Sequence, residues 1–131
     1  MPAAVENITG AQELFDWFGY WPDFHDAEVV RFRLVGGMLS LVIHTWEMTN
    51  QVDAKGFYEL RKNVVVEFVI EAISTINVQD PWDHSILFDL GIDKTETGFQ
   101  LSFSSSYGLS GTIEAQKLSL RVVPGKPSQD V

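Results

Sequence analysis

The stretch AEVVRFRLVGGMLSLVIHTWE, residues 27–47, decides the fold because it holds two apolar alternations separated by a glycine pair. Val30 and Phe32 alternate with arginines, which is typical of a half-buried strand. The Gly36-Gly37 pair tolerates the positive φ angles of a tight hairpin, so the chain is predicted to return as an antiparallel strand. The rest of the sheet is predicted to extend this hairpin.

Four later segments carry the same strand pattern, whereas residues 47–62 are mixed and polar and predict a loop. Ile86 and Phe88 are predicted to share one face of their strand with the apolar residues that follow. An irregularity at Gln116-Lys117 predicts a β-bulge. The four predicted strands are NVVVEFVIEAISTINV (63–78), ILFDLGID (86–93), TGFQLSFSSS (97–106) and GTIEAQKLSLRVVP (111–124).

One helix is predicted before the hairpin, over about residues 9–19. Thr9 is placed to cap its N-terminus, and Gln12 stands three residues later, as in a capping box. Leu14 and Phe18 belong to an apolar stripe that must lie on an apolar surface. The prediction is therefore an α+β fold: an antiparallel meander of about six strands, curved or barrel-like, with this N-terminal helix packed on one face.

The length of 131 residues suits one domain, and 45% hydrophobic residues suffice for one core. We expect residues 1–131 to form a single domain, with frayed ends at about 1–7 and 125–131. The N-terminus lacks the basic flank and apolar run of a signal peptide, and no long apolar segment predicts a membrane helix. We therefore expect a cytoplasmic protein without membrane contact.

Charge and cysteine content restrict the function classes. The sequence has nine Lys and Arg residues and 18 Asp and Glu residues. The resulting net charge of -9 would repel a nucleic-acid backbone and attract a basic partner. The chain has no cysteine, which excludes disulfides, thiolate zinc sites and cysteine nucleophiles. The sequence also contains no glycine-rich phosphate loop and no serine elbow.

The segment YWPDFHDAEVVRFRL, residues 20–34, concentrates aromatic rings and carboxylates between helix and sheet. One interpretation is structural: the aspartates bond to backbone amides, His25 ties the chain down, and Trp21 and Phe24 are core. A second is a metal-dependent hydrolase, in which His25, His44 and His84 with nearby carboxylates bind a divalent ion. A third is a domain that holds a small apolar ligand between helix and sheet.

The run GYWPDFHDAEV, residues 19–29, after an aromatic-rich helix and before a hairpin, resembles the Imm50-type bacterial immunity proteins of polymorphic toxin systems, and residues 44–47, HTWE, are compatible. The resemblance implies a non-catalytic antidote, without metal or cofactor, that binds and neutralises a cognate toxin. Complementary charge would favour a basic toxin domain. The candidate partner-binding residues are Asp23, Asp26, Glu28, Glu47, Asp53, Asp80, Trp82 and Asp83.

Overall fold

The computed structural model describes residues 1–52 and 54–127, and within them the chain forms one α-helix and six antiparallel strands. A 3-10 turn, Ala3–Val5, precedes the helix. The elements are α1 (Ala11–Phe18), β1 (Glu28–Val35), β2 (Met38–Val52), β3 (Tyr58–Gln79), β4 (Ile86–Lys94), β5 (Phe99–Tyr107) and β6 (Ser110–Pro124). The predicted six antiparallel strands and N-terminal helix are confirmed.

The strands form a sheet that closes into a ring in the order β1-β2-β3-β6-β5-β4. Each half, β1-β2-β3 and β4-β5-β6, is a meander, and the long β3–β6 ladder joins the halves. The second junction is narrow, because β1 and β4 share only the Glu28–Ile86 register pair. Backbone hydrogen bonds beside that pair, such as Leu87 N–H to Ala27 O at 2.9 Å, complete the closure.

The predicted Gly36-Gly37 hairpin is present, and its second strand, β2, is longer than predicted. Gly36 and Gly37 have φ angles of 59° and 78° and connect the register pair Val35–Met38. The predicted loop over 47–62 is wrong, because β2 continues to Val52 and β3 begins at Tyr58. These polar extensions are held by the ladder between the two strands, which local composition does not reveal.

Strand β4 corrects the predicted apolar face. Leu87 is buried, whereas Ile86 and Phe88 are 41% and 49% exposed, because the β4–β5 register shifts on both sides of Leu87. Such a bulge changes which residues face the core. The bulge predicted at Gln116-Lys117 is misplaced: both residues are exposed, but the register with β3 passes them without a shift. The shift lies in β3 between Ile73 and Thr75, opposite Ala115 and Glu114.

Helix α1 begins at a different cap from the predicted one. Its N-cap is Gly10, with φ of 88° and no side-chain capping bond, and Gln12 instead donates to Asp16. A Cβ on Gly10 would lie 2.0 Å from the Leu120 backbone oxygen, so only glycine fits against β6. Thr9 is held through its backbone, since its carbonyl accepts from Leu120 N–H at 2.8 Å.

One core fills the space between α1 and the inner face of the sheet. Leu14 and Phe18 of α1 belong to the same buried cluster as Phe24 and Phe68. The first residues, for which the sequence predicted fraying, are packed, since Val5 is fully buried in this cluster. Within the described part of the chain, no helix combines the length and apolarity needed to cross a bilayer.

The free margin of β1 beyond its junction with β4 is covered by side chains. Arg33 donates to both carboxylate oxygens of Asp83, at 3.1 and 2.8 Å. The same guanidinium donates to Phe32 O at 2.9 Å. The ion pair thereby satisfies the carbonyl group that Phe32 presents at this margin.

Candidate functional site

A cleft of about 550 Å³ lies where the connection from α1 to β1 passes the middle of β2. It combines three of the predicted carboxylates with several aromatic rings, so the structure brings together residues that are 20 positions apart in the sequence. The lining residues are Phe18, Tyr20, Trp21, Pro22, Asp23, Phe24, His25, Asp26, Thr45, Trp46, Glu47 and Met48.

The connecting segment is fixed by local hydrogen bonds. Asp23 accepts from the backbone N–H of His25 at 2.9 Å, which closes a short turn. The His25 ring bonds through Nδ1 to Phe88 O at 3.0 Å and stacks on the Phe88 ring. Phe24 is buried, as the structural interpretation predicted, and packs edge-on against Phe68. His25 therefore ties this segment to β4 while its side chain remains exposed.

Backbone strain is concentrated around the β1–β4 junction. Among residues 1–52 and 54–127, six non-glycine residues have positive φ, and four of them are Phe24, Asp26, Asp80 and His84. All four belong to the two connections that meet at the β1–β4 junction. Non-glycine residues in the left-handed region cost about 1–3 kcal/mol each and persist only where their surroundings hold them. Such residues are frequent at ligand-binding sites, which favours this region as the functional one.

Glu47 is the best-bonded carboxylate of the cleft. It accepts from Tyr20 OH at 2.8 Å and from Arg61 Nε at 2.9 Å, with Lys62 Nζ at 3.7 Å. The bond from Tyr20, followed by that from Arg61, lowers the pKa of Glu47. Desolvation, and then the bond to Glu47, raises the pKa of Tyr20 to about 12. This network holds the segment before β1 against β2 and β3.

Replacing Tyr20 by phenylalanine is expected to raise the pKa of the Glu47 carboxyl towards its ordinary value of 4.5. The hydroxyl that stabilises the ionised carboxylate would be lost, while Arg61 would keep part of the effect. In the native chain this contribution to stability is present above the ordinary pKa and is lost as pH falls through the lowered one. Carbon-detected NMR titration of the Glu47 carboxyl measures the change.

The matched control is Tyr107→Phe, which removes an exposed hydroxyl that makes no bond to Glu47. It is expected to leave the Glu47 titration midpoint unchanged. An identical midpoint in Tyr20→Phe and the native chain would show that the hydroxyl does not stabilise this carboxylate.

An exposed apolar strip begins where the cleft meets the β1–β4 junction. Ile86 and Phe88 on β4 are joined by Tyr107 on β5, which is the register partner of Ile86 and is 75% exposed. Asp26 and Glu28 lie beside them, since Glu28 pairs in register with Ile86 and Asp26 N–H donates to Leu87 O. We call these five residues the junction face. Sequence alternation missed its apolar members because it assigned Ile86 and Phe88 to the core.

The three predicted partner contacts in the β3–β4 connection, Asp80, Trp82 and Asp83, lie along β1 and do not line the cleft. Asp83 accepts hydrogen bonds from Arg33, and these bonds are the main cause of the lowered pKa of the Asp83 carboxyl. This contact gives Asp83 a structural role. Asp80 is exposed, and Trp82 is about half exposed beside it. Asp53, another predicted contact, lies outside the described residues.

The three histidines have separate partners. His25 lies 3.7 Å from Asp26, His44 bonds to Asn63 at 2.9 Å, and His84 lies 3.6 Å from Glu28. Among residues 1–52 and 54–127, no group of three or more His, Asp or Glu side chains is arranged to hold a metal ion. The arrangement that the hydrolase interpretation needs is therefore not found in this part of the chain.

Comparison of the chain with protein-family models, with curated proteins and with solved structures found no match. Any assignment of function consequently depends on the candidate site itself. Its members are a strained connection, a cleft with three carboxylates, and exposed apolar side chains at the β1–β4 junction.

Proposed function

We propose that this chain is a non-catalytic immunity protein that binds a cognate bacterial toxin domain in the cytoplasm and blocks its activity. The observation that carries the proposal is the junction face, where large apolar side chains lie exposed beside carboxylates. The resemblance of residues 19–29 to Imm50-type proteins supports the same assignment, because that segment lines the cleft and ends at the junction face.

The apolar members of the junction face are suited to anchoring a protein partner. Aromatic residues that become buried at the centre of an interface dominate its binding energy. Phe88 is held in place by its stack on His25, whose ring centroid lies 6.3 Å away, and by its position in β4. A side chain that is already ordered loses less conformational entropy when a partner covers it. Phe88 and Ile86 are therefore the proposed anchors.

The carboxylates around these anchors favour a basic partner. The Asp26 side chain is half exposed and, among residues 1–52 and 54–127, its one ionic contact is with His25 at 3.7 Å. Glu28 approaches His84 at 3.6 Å. Together with a net charge of -9, they would accelerate association with a basic toxin cleft in a salt-dependent manner. Glu47 contributes less to this field, since Arg61 and Lys62 already pair with it.

A co-expression experiment tests the proposal. The reading frame adjacent to this gene is induced in a naive host, alone and together with the full chain, and surviving colonies are counted. We expect the neighbour to be lethal alone and the full chain to restore growth to the level of uninduced cells.

The control strain carries the same gene with an early stop codon, which separates the effect of the protein from that of its messenger RNA. If the neighbour is lethal and kills the strain with the intact gene as efficiently as the strain with the stop codon, the proposal is contradicted for this protein and that neighbour.

A further inference from the structure

A second groove, of about 290 Å³, lies on the outer surface of the sheet and shares no lining residue with the cleft. It is built by one row of register partners that crosses four strands, Arg31 on β1, Val42 on β2, Glu67 on β3 and Arg121 on β6. At a strand spacing of about 4.8 Å, the backbones of the two arginines are roughly 14 Å apart. Long side chains reaching inward from both ends can cover this distance.

The groove gathers positive charge in an acidic protein. Of nine Lys and Arg residues in the sequence, Arg31, Arg121 and Lys126 line it. Its one carboxylate, Glu67, accepts from Arg121 at 3.3 Å and from Ser40 Oγ at 2.6 Å. Within residues 1–52 and 54–127, the side chains of Arg31 and Lys126 form no ion pair or hydrogen bond. The groove therefore carries net positive charge that its own carboxylate does not balance.

The floor between the cations is apolar. Val42 is almost fully buried, Val65 is partly buried, and Val123 is about half exposed at the far side. The backbone after β6 stays paired with the start of the β3–β6 ladder, since Gly125 N–H donates to Asn63 O at 2.8 Å. This places Lys126 and Pro127 in the wall of the groove. A compact anionic group with a short apolar body matches these surroundings, because guanidinium groups bind oxyanions through paired hydrogen bonds.

We propose that this groove is a binding site for a small ligand bearing an oxyanion, either a carboxylate or a phosphate, held by Arg31 and Arg121 with Lys126 at the rim. The volume is at the lower end of small-molecule sites, so the ligand is small. The inference is independent of toxin binding, and no toxin is needed to test it.

The test is an NMR titration of the full chain with inorganic phosphate and, separately, with acetate, with sodium chloride adjusted to keep ionic strength constant. We expect saturable shifts of the Arg31 and Arg121 side-chain resonances and of the Val65 and Val123 amides. Saturation by phosphate alone assigns a phosphate ligand, and saturation by acetate alone assigns a carboxylate. Saturation by both assigns a general oxyanion site, and saturation by neither overturns the proposal.

Variants separate the site from general charge effects. Arg31→Met is expected to weaken binding of the saturating anion at least about tenfold, because it removes a charge-assisted hydrogen bond to that anion. Lys117→Met is the matched control, because it removes one positive charge from an exposed position of β6 outside the groove. It should leave the midpoint nearly unchanged. The assignment would be overturned if both variants weakened anion binding equally. It would also be overturned if Arg31→Met kept the native amide spectrum and the native midpoint of the anion titration.

Discussion

Replacement of Phe68 by alanine is expected to lower the free energy of unfolding by about 3–5 kcal/mol. Phe68 is fully buried near the middle of β3, where its register partners are Leu41 on β2 and Leu120 on β6. Its ring also packs edge-on against Phe24, with centroids 5.7 Å apart. The substitution would remove this aromatic contact and leave a cavity that the rigid sheet cannot collapse to fill.

Equilibrium unfolding in urea measures this effect, provided that the slope of free energy against urea concentration is unchanged. The matched control is Tyr107→Ala, an aromatic truncation at an exposed site, expected to change stability by no more than about 0.5 kcal/mol. A loss below about 1 kcal/mol for Phe68→Ala would show that the α1–sheet core does not depend on this ring.

The double substitution Ile86→Ser and Phe88→Ser is expected to abolish protection against the toxin while the fold is retained. Both side chains are exposed, so their removal leaves no internal cavity. If they are the anchors of the interface, their loss should cost 2 kcal/mol or more, which is roughly a thirtyfold or greater loss of affinity. Colony counts in the co-expression assay and the affinity of the purified pair measure the result.

The control for this variant is Leu34→Ser with Val35→Ser, which replaces two apolar residues at the β1–β2 hairpin that are more exposed than Ile86 and Phe88. This control is expected to protect as well as the native chain. If the native chain protects and the Ile86/Phe88 variant protects equally, toxin binding takes place elsewhere, and the immunity function itself stands. If the native chain gives no protection, the proposed function fails before the face is tested.

The sheet was predictable wherever strict alternation and turn chemistry agreed. The Gly36-Gly37 hairpin and the buried face of Val64, Val66 and Phe68 follow directly from sequence, because one face of a strand is packed and glycine suits the turn. The extension of β2 to Val52 was not predictable, because its polar residues become a strand through pairing with β3.

The candidate site was predictable in part. Asp23, Asp26 and Glu47 were candidate partner contacts from the sequence and they line one cleft, a convergence that their separation in the sequence does not indicate. The exposed side chains of Ile86 and Phe88 were missed because a bulge reverses the local in-and-out order without a glycine or proline to signal it. Asp83 was predicted to contact a protein partner because the sequence gives no sign of its bond to Arg33, fifty residues away. That bond forms only when the closing of the ring brings the two residues together.

The Arg33–Asp83 ion pair also affects how copies of this protein behave towards one another. An uncovered strand margin is a template on which another chain can add a strand, the first step towards aggregation. By occupying the Phe32 carbonyl and covering the margin beside it, the pair protects β1 from that addition with two side chains. The pKa of Asp83 is lowered, so this protection extends below the ordinary titration range of aspartate and is lost only in stronger acid. The contact that finishes the edge of the sheet is therefore expected to keep this margin closed to strand addition in mild acid.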